Sequence, residues 1–283
     1  MSTWRAALAE TTAALGSESD ARWIVEEASG YERAALVVHL DDVVTARCGG
    51  YLSGMVERRL AGEPLQYVLG RWGFRGLDLM VDRRVLIPRP ETEEVVGWAL
   101  DEVRGLGRRE LVVADLGTGS GAIALSLARE LPGAAVWATD AREDAVDVAR
   151  ANVTGLGIWA GPRIRVVTGE WWDALPSDLR GGLDLAVSNP PYIAEAEQLP
   201  PEVDAWEPRR ALRAGEDGLD AIRVVVGGAG GWLRPGGILV VEIAPSQAAS
   251  AQELAAAAGA ARHEVRRDMQ GRERALVAWW PGG

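Results

Sequence analysis

Between residues 111 and 243 five short apolar runs alternate with helical stretches, and no other feature limits the possible folds so sharply. The runs are Leu111 to Leu116, Ala134 to Thr139, Arg163 to Val167, Leu183 to Ser188 and Gly237 to Ile243. The spacing predicts helices near 91–104, 120–131, 142–154, 217–233 and 246–259. Strands separated in this way belong to an α/β, doubly wound and mostly parallel sheet. The tail breaks the rhythm. His263 to Arg267 and Arg274 to Trp280 flank a turn at Gln270-Gly271 with no helix between them, so the terminal strand is expected to run antiparallel to its neighbour.

Upstream the texture is helical. Apolar positions recur at helical spacing in Trp4-Ala7-Leu8, Trp23-Ile24-Ala28 and Tyr51-Leu52-Met55-Val56-Leu60, with breaks at Gly16-Ser17 and Ser29-Gly30. From Phe74 onward Leu77, Leu79 and Val81 alternate, and Val85-Leu86-Ile87 leads into Pro88-Arg89-Pro90. That reads as a β-hairpin connector ending in a stiff extended segment. The expected organisation is a small helical bundle over 1–73, the connector over 74–90 and the α/β domain over 91–283, which suits a chain of 283 residues.

Two loops carry chemistry. Asp115-Leu116-Gly117-Thr118-Gly119-Ser120-Gly121 leaves the first strand and opens a helix, where glycines let a ligand approach the helix N-terminus closely. Asp140, at the end of the second strand, suits a ribose hydroxyl pair. Taken alone, the loop fits a dinucleotide and S-adenosylmethionine alike. Asp115 tilts the choice, because a carboxylate before the glycines can hold the cationic amino group of a methionine moiety. The second loop is Asn189-Pro190-Pro191-Tyr192, directly after the run Leu183 to Ser188. An Asn-Pro pair by itself commonly marks only a turn. Here the Asn189 amide oxygen and a proline carbonyl are two acceptors at a buried strand end, able to hold both hydrogens of an –NH2 group, with the Tyr192 ring to stack on its plane. A sulfonium methyl donor facing an immobilised nitrogen makes chemical sense; hydride transfer has no use for such a socket.

Composition bears on the nitrogen's source. The net charge of −11 disfavours a phosphate-gripping nucleic-acid enzyme, and all 30 basic residues are Arg. The lone Cys48 and the two histidines, His39 and His263, form no metal-ligand pattern, so no metal is expected. No apolar run approaches the ~18 residues of a membrane span. Met1 to Arg5 lacks the layout of a signal peptide, so a cytoplasmic protein is expected. Glu91 and Glu93 read as first-turn helix carboxylates, and Glu242 as structural.

Taken together, these segments resemble the bacterial release-factor glutamine methyltransferase family (PrmC, also called HemK) over nearly the whole chain. Supporting the resemblance are Gly62-Glu63-Pro64-Leu65-Gln66-Tyr67, Ile87-Pro88-Arg89-Pro90-Glu91-Thr92-Glu93, the glycine loop, Asn-Pro-Pro-Tyr, Glu207-Pro208 and the ending Gly271-Arg272-Glu273-Arg274. Asn-Pro-Pro-Tyr alone is shared with enzymes acting on adenine; the Ile-Pro-Arg-Pro-Glu-Thr-Glu segment after a helical domain is more specific. The resemblance implies a class I S-adenosyl-L-methionine-dependent methyltransferase that methylates the Gln of the Gly-Gly-Gln loop of peptide chain release factors. It implies a cofactor site at Asp115, Gly117, Thr118, Gly119, Ser120, Gly121, Asp140, Trp171 and Asn189. The resemblance further implies a catalytic group of Asn189, Pro190 and Tyr192, and a substrate pocket that adds Pro191, Phe74 and Arg89. Gly169-Glu170-Trp171-Trp172 holds two tryptophans where one aromatic is expected at the adenine. A monomer is expected. Alternatives on the residues are a family paralogue acting on another protein Gln or Asn, and a nucleic-acid adenine-N6 methyltransferase.

Overall fold

The computed structural model describes residues 2–157 and 160–282. The chain divides into two compact units. One runs to Trp72 and takes in Pro200–Trp206; the other comprises Gly73–Leu199 and the chain from Glu207 on.

The first unit is helical: α1 (Trp4–Leu15), α2 (Glu18–Ser29), α3 (Arg33–Val38), α4 (Ala46–Leu60) and α5 (Leu65–Leu69), with α9 (Pro201–Trp206) from much later in the chain. The breaks seen in the sequence are caps. Gly16 ends α1 in the left-handed conformation, and Ser17 opens α2 by accepting a hydrogen bond from Asp20 N at 3.2 Å. Trp4, Ile24, Val25, Leu36, Met55 and Val68 form the core. Arg59 bridges Asp20 at 2.8 Å and Glu202 of α9 at 3.1 Å, so a segment from the 91–283 stretch completes this unit.

The second unit is built on a seven-stranded sheet of β3 (Leu111–Leu116), β4 (Ala134–Asp140), β5 (Ile164–Thr168), β6 (Leu183–Ser188), β7 (Leu233–Glu242), β8 (Arg262–Arg267) and β9 (Glu273–Trp279). A separate hairpin, β1 (Arg71–Phe74) and β2 (Leu77–Met80), comes before it. The spatial order is β5-β4-β3-β6-β7-β9-β8. Strands β3 to β7 pair parallel, and β9 runs antiparallel to both β7 and β8. The doubly wound sheet and the antiparallel terminal strand are as the alternation implied.

Helices α6 (Pro90–Gly105), α7 (Ala122–Glu130), α8 (Glu143–Gly155), α10 (Arg209–Leu212), α11 (Asp220–Gly228) and α12 (Ala248–Ala257) complete this unit. Val113, Leu185 and Val240 pack with Val96 of α6 and Ile123 of α7, while Ala114, Ala186 and Val241 pack with Ile222 of α11 and Ala251 of α12. Every residue of β6 is buried, because helices cover both faces of the sheet; that is why it reads as a mostly apolar run, interrupted by Asp184 and closed by Ser188. No helix among the described residues is long and apolar enough to cross a membrane.

One feature of the order positions the site. Strand β3 has β4 on one side and β6 on the other, the reversal at which open α/β sheets bind ligands. Leu116 is the register partner of Ser188 and of Thr139. The Ser188 hydroxyl donates to Leu116 O at 2.7 Å, so the loops leaving β3 and β6 start level with each other.

Candidate active site

The glycine loop is stitched to the end of β4. The N–H groups of Gly117 and Thr118 donate to Thr139 O at 2.9 and 2.8 Å. Gly119 N donates to Asp140 Oδ2 at 2.9 Å, and Arg142 N to Asp140 Oδ1 at 3.0 Å. These two bonds hold the Asp140 carboxylate in place, while its burial raises its pKa above the ordinary value. Two glycines are needed for more than a turn. A Cβ on Gly117 (φ +77) would stand 3.1 Å from Trp171 Cζ3, and one on Gly121 (φ +86) would stand 2.6 Å from Leu125 Cδ1.

Asp115 sits wholly buried. Its Oδ2 accepts from Thr118 Oγ1 at 2.6 Å and from Ala124 N at 3.0 Å, which caps the first turn of α7. Oδ1 is buried with no hydrogen-bond partner. Burial pushes the carboxyl up to about 7, against the pull of those two donors.

The two tryptophans separate cleanly. Trp171, held at φ +44, lies against Gly117 and lines a cavity of about 410 Å3. Trp172 is core: its Nε1–H donates to Val225 O at 3.0 Å and its ring stacks on Trp232. A non-glycine residue at positive φ is costly and gathers at functional sites.

The wall of that cavity includes Gly117, Thr118, Gly119, Ser120 and Asp140 from the first loop region. It also includes Phe74, Thr92, Asn189 and Pro191. The structure thus brings the two loops to one cavity. Asp115, Gly121, Arg89, Pro190 and Tyr192 do not line it. Arg89 pairs instead with the buried Glu207, whose other oxygen accepts from Ile87 N at 3.3 Å; this holds the Pro88-Arg89-Pro90 segment in place. Tyr192 packs beside the core on the α11 face, and burial, together with the nearby Glu242, pushes its phenol up to about 12.

Asn189 is held from behind. Its Nδ2 donates to Thr92 Oγ1 at 3.1 Å, and Thr92 Oγ1 donates to Glu242 Oε2 at 2.7 Å. Gln247 Nε2 donates to Tyr192 O at 2.9 Å and Gly218 O at 3.0 Å, which anchors the far end of the Asn-Pro-Pro-Tyr loop. Sequence reasoning gave no role to Thr92 or Gln247. Thr92 falls inside a segment that carried the resemblance, but its partners are 97 and 150 residues away.

Comparison with known proteins assigns the family. The PrmC N-terminal domain matches residues 3–70, and the Methyltransferase small domain matches residues 103–203. The release factor glutamine methyltransferase of Burkholderia pseudomallei is 42% identical over 266 residues, spanning 93% of this chain and 92% of its own length. This chain belongs to the release factor glutamine methyltransferase family. A second release factor glutamine methyltransferase, from Xylella fastidiosa, is 41% identical over 264 residues, 93% of each chain. Among solved structures, the hMettl16 catalytic domain in complex with MAT2A 3'UTR hairpin 6 has a TM-score of 0.58 at 21% identity, over 78% of this chain and 81% of that one. That likeness is one of fold alone. As the sequence led us to expect, the fold is that of the methyltransferases.

Proposed function

We propose that this protein transfers the methyl group of S-adenosyl-L-methionine to the side-chain amide nitrogen of the Gln in the Gly-Gly-Gln loop of peptide chain release factors. The observation that carries this reading is the state of Asn189. With Nδ2 given to Thr92, its Oδ1 is left as an acceptor on the wall of the cavity that the glycine loop also lines.

The residues present suit the cofactor. Asp140 offers a fixed carboxylate for a ribose and Trp171 offers a ring for the adenine, while Asp115, buried behind the cavity wall, holds the glycine loop through Thr118 and Ala124. When bound, S-adenosylmethionine supplies an electrophilic methyl on a sulfonium. Everything else falls to the chain. An amide nitrogen is a weak nucleophile because its lone pair is delocalised into the carbonyl. Asn189 Oδ1, on the cavity wall, accepts one N–H of the substrate amide, which directs the nitrogen at the methyl carbon. Positioning of this kind supplies ~7–11 kcal/mol in favourable cases. No strong base is required, since the nitrogen turns acidic once it is methylated. Phe74 and Pro191 supply apolar wall for the glutamine. We place the enzyme in the cytoplasm as a monomer that takes no nucleic acid as substrate, in keeping with a net charge of −11.

Incubation with labelled S-adenosylmethionine and a release factor carrying Gln or Ala in its Gly-Gly-Gln loop tests the proposal. Label appears on the Gln form only. Label that survives the Gln→Ala change would assign another acceptor and overturn the reading.

A further inference from the structure

Asn189 accepts hydrogen bonds from a substrate only if its carboxamide is turned the right way, because half a turn presents two N–H donors instead. Nothing in Asn-Pro-Pro-Tyr sets that choice. The residues behind it do. Thr92, in the first turn of α6, is 4% exposed, and Glu242, the last residue of β7, is 1% exposed. A hydroxyl has one proton, and Thr92 gives it to Glu242 Oε2 at 2.7 Å. Thr92 therefore meets Asn189 with lone pairs only, and Nδ2 turns towards it at 3.1 Å. The amide oxygen is left for the cavity.

We propose that Thr92 and Glu242 are positioning residues, which set the direction of the Asn189 carboxamide and thereby make it an acceptor. The proposal rests on the reading of Asn189 as the partner of the substrate amide. It assigns a role to two buried polar groups on separate elements: Thr92, on the cavity wall beside Asn189, and Glu242 behind it.

The relay has a defined polarity, and protonation reverses it. Glu242 is faced by Thr92, Arg89 and Glu91 at the start of α6, by Tyr192 from the loop after β6 and by Arg274 of β9. Burial pushes its carboxyl up to about 7; Thr92, Arg274 and Arg89 favour the charged form, and Glu91 opposes it. A protonated Glu242 donates to Thr92, whose own proton then points at Asn189. The carboxamide turns, and the acceptor is lost. At saturating cofactor, turnover falls on the acid side of about 7.

The test combines turnover with the side-chain NH2 signal of Asn189 in 15N-labelled full-length protein, assigned by its loss in Asn189→Ala. Thr92→Val, close in shape but without the hydroxyl, lowers kcat about tenfold, the cost of leaving one inward N–H unpaired. Cofactor affinity holds, and Thr92→Ser restores the rate. Glu242→Gln flattens the acid limb. In the free protein the Asn189 signal moves with pH near 7 in the wild type and stays still in Glu242→Gln. Wild-type turnover in Thr92→Val, or an Asn189 signal indifferent to both changes, overturns the relay. If Thr92→Val loses cofactor binding, the Glu242→Gln and Thr92→Ser arms decide. Absence of release-factor methylation by the wild type refutes the proposed function instead, and the NMR arm still decides the relay.

Discussion

Replacing Glu242 by Gln changes how stability depends on pH, and the size of the change follows from its burial. The carboxyl stands at about 7 in the folded protein, against an ordinary 4.5. The folded state therefore holds the proton more tightly than the unfolded chain. Stability from this group is full below about 4.5 and is lost as pH rises through about 7. A gap of about 2.5 pH units at ~1.36 kcal/mol each amounts to about 3 kcal/mol, most of which falls between pH 5 and pH 8. Gln does not titrate, so any cost of burying its amide is the same at both pH values and cancels. Asp115, pushed up to about 7 in the same way, contributes equally to both proteins and cancels too. Urea unfolding of wild type and Glu242→Gln at pH 5 and pH 8, at constant ionic strength, gives four free energies. Between the two pH values the wild type is expected to lose ~2–3 kcal/mol more than the variant, or ~5–10 °C in Tm at ~2–4 °C per kcal/mol. Equal losses would refute the argument, because they would mean that Glu242 titrates in the folded protein much as it does unfolded.

Three further outcomes follow from the site. Asn189→Ala abolishes methyl transfer while calorimetry finds cofactor affinity nearly unchanged, since the glycine loop and Asp140 are untouched. The adjacent tryptophans separate on substitution: Trp172→Ala costs ~3–5 kcal/mol of stability in denaturant unfolding, whereas Trp171→Ala weakens cofactor binding with little loss of stability. Gly121→Ala forces a Cβ to 2.6 Å from the buried Leu125 at a left-handed φ, and is expected to destabilise by ~2–4 kcal/mol in the same assay.

The sheet was legible because each core strand advertises itself locally: β3 and β6 are mostly apolar runs, each with one Asp, ended by loops rich in Gly or Pro. Asp140 and the glycine loop were legible for the same reason, as motifs attached to strands. What escaped depended on distance. Thr92 looks like an ordinary first-turn residue, and only the fold places it between Asn189 and Glu242. Glu242 read as structural, since a carboxylate at a strand end has no local signature of its partners. The pair Trp171-Trp172 could not be divided from sequence, because two adjacent identical residues differ only in which way the chain turns them. The inclusion of Pro200–Trp206 in the helical unit is likewise invisible to periodicity, for the ion pair that ties it there joins Glu202 to Arg59, 143 positions earlier.

The pairing of Leu116 with Ser188 carries a consequence for how such a chain tolerates change. Seventy-two positions separate the two residues along the chain, yet the gap between their loops is one inter-strand step of about 4.8 Å. Lengthening any connection between them alters only a closure entropy that grows slowly with length. Deleting one residue inside β6 would instead send each following side chain to the opposite face. The meeting of donor and acceptor is therefore indifferent to most insertions in the intervening chain and intolerant of a single slip in one six-residue strand.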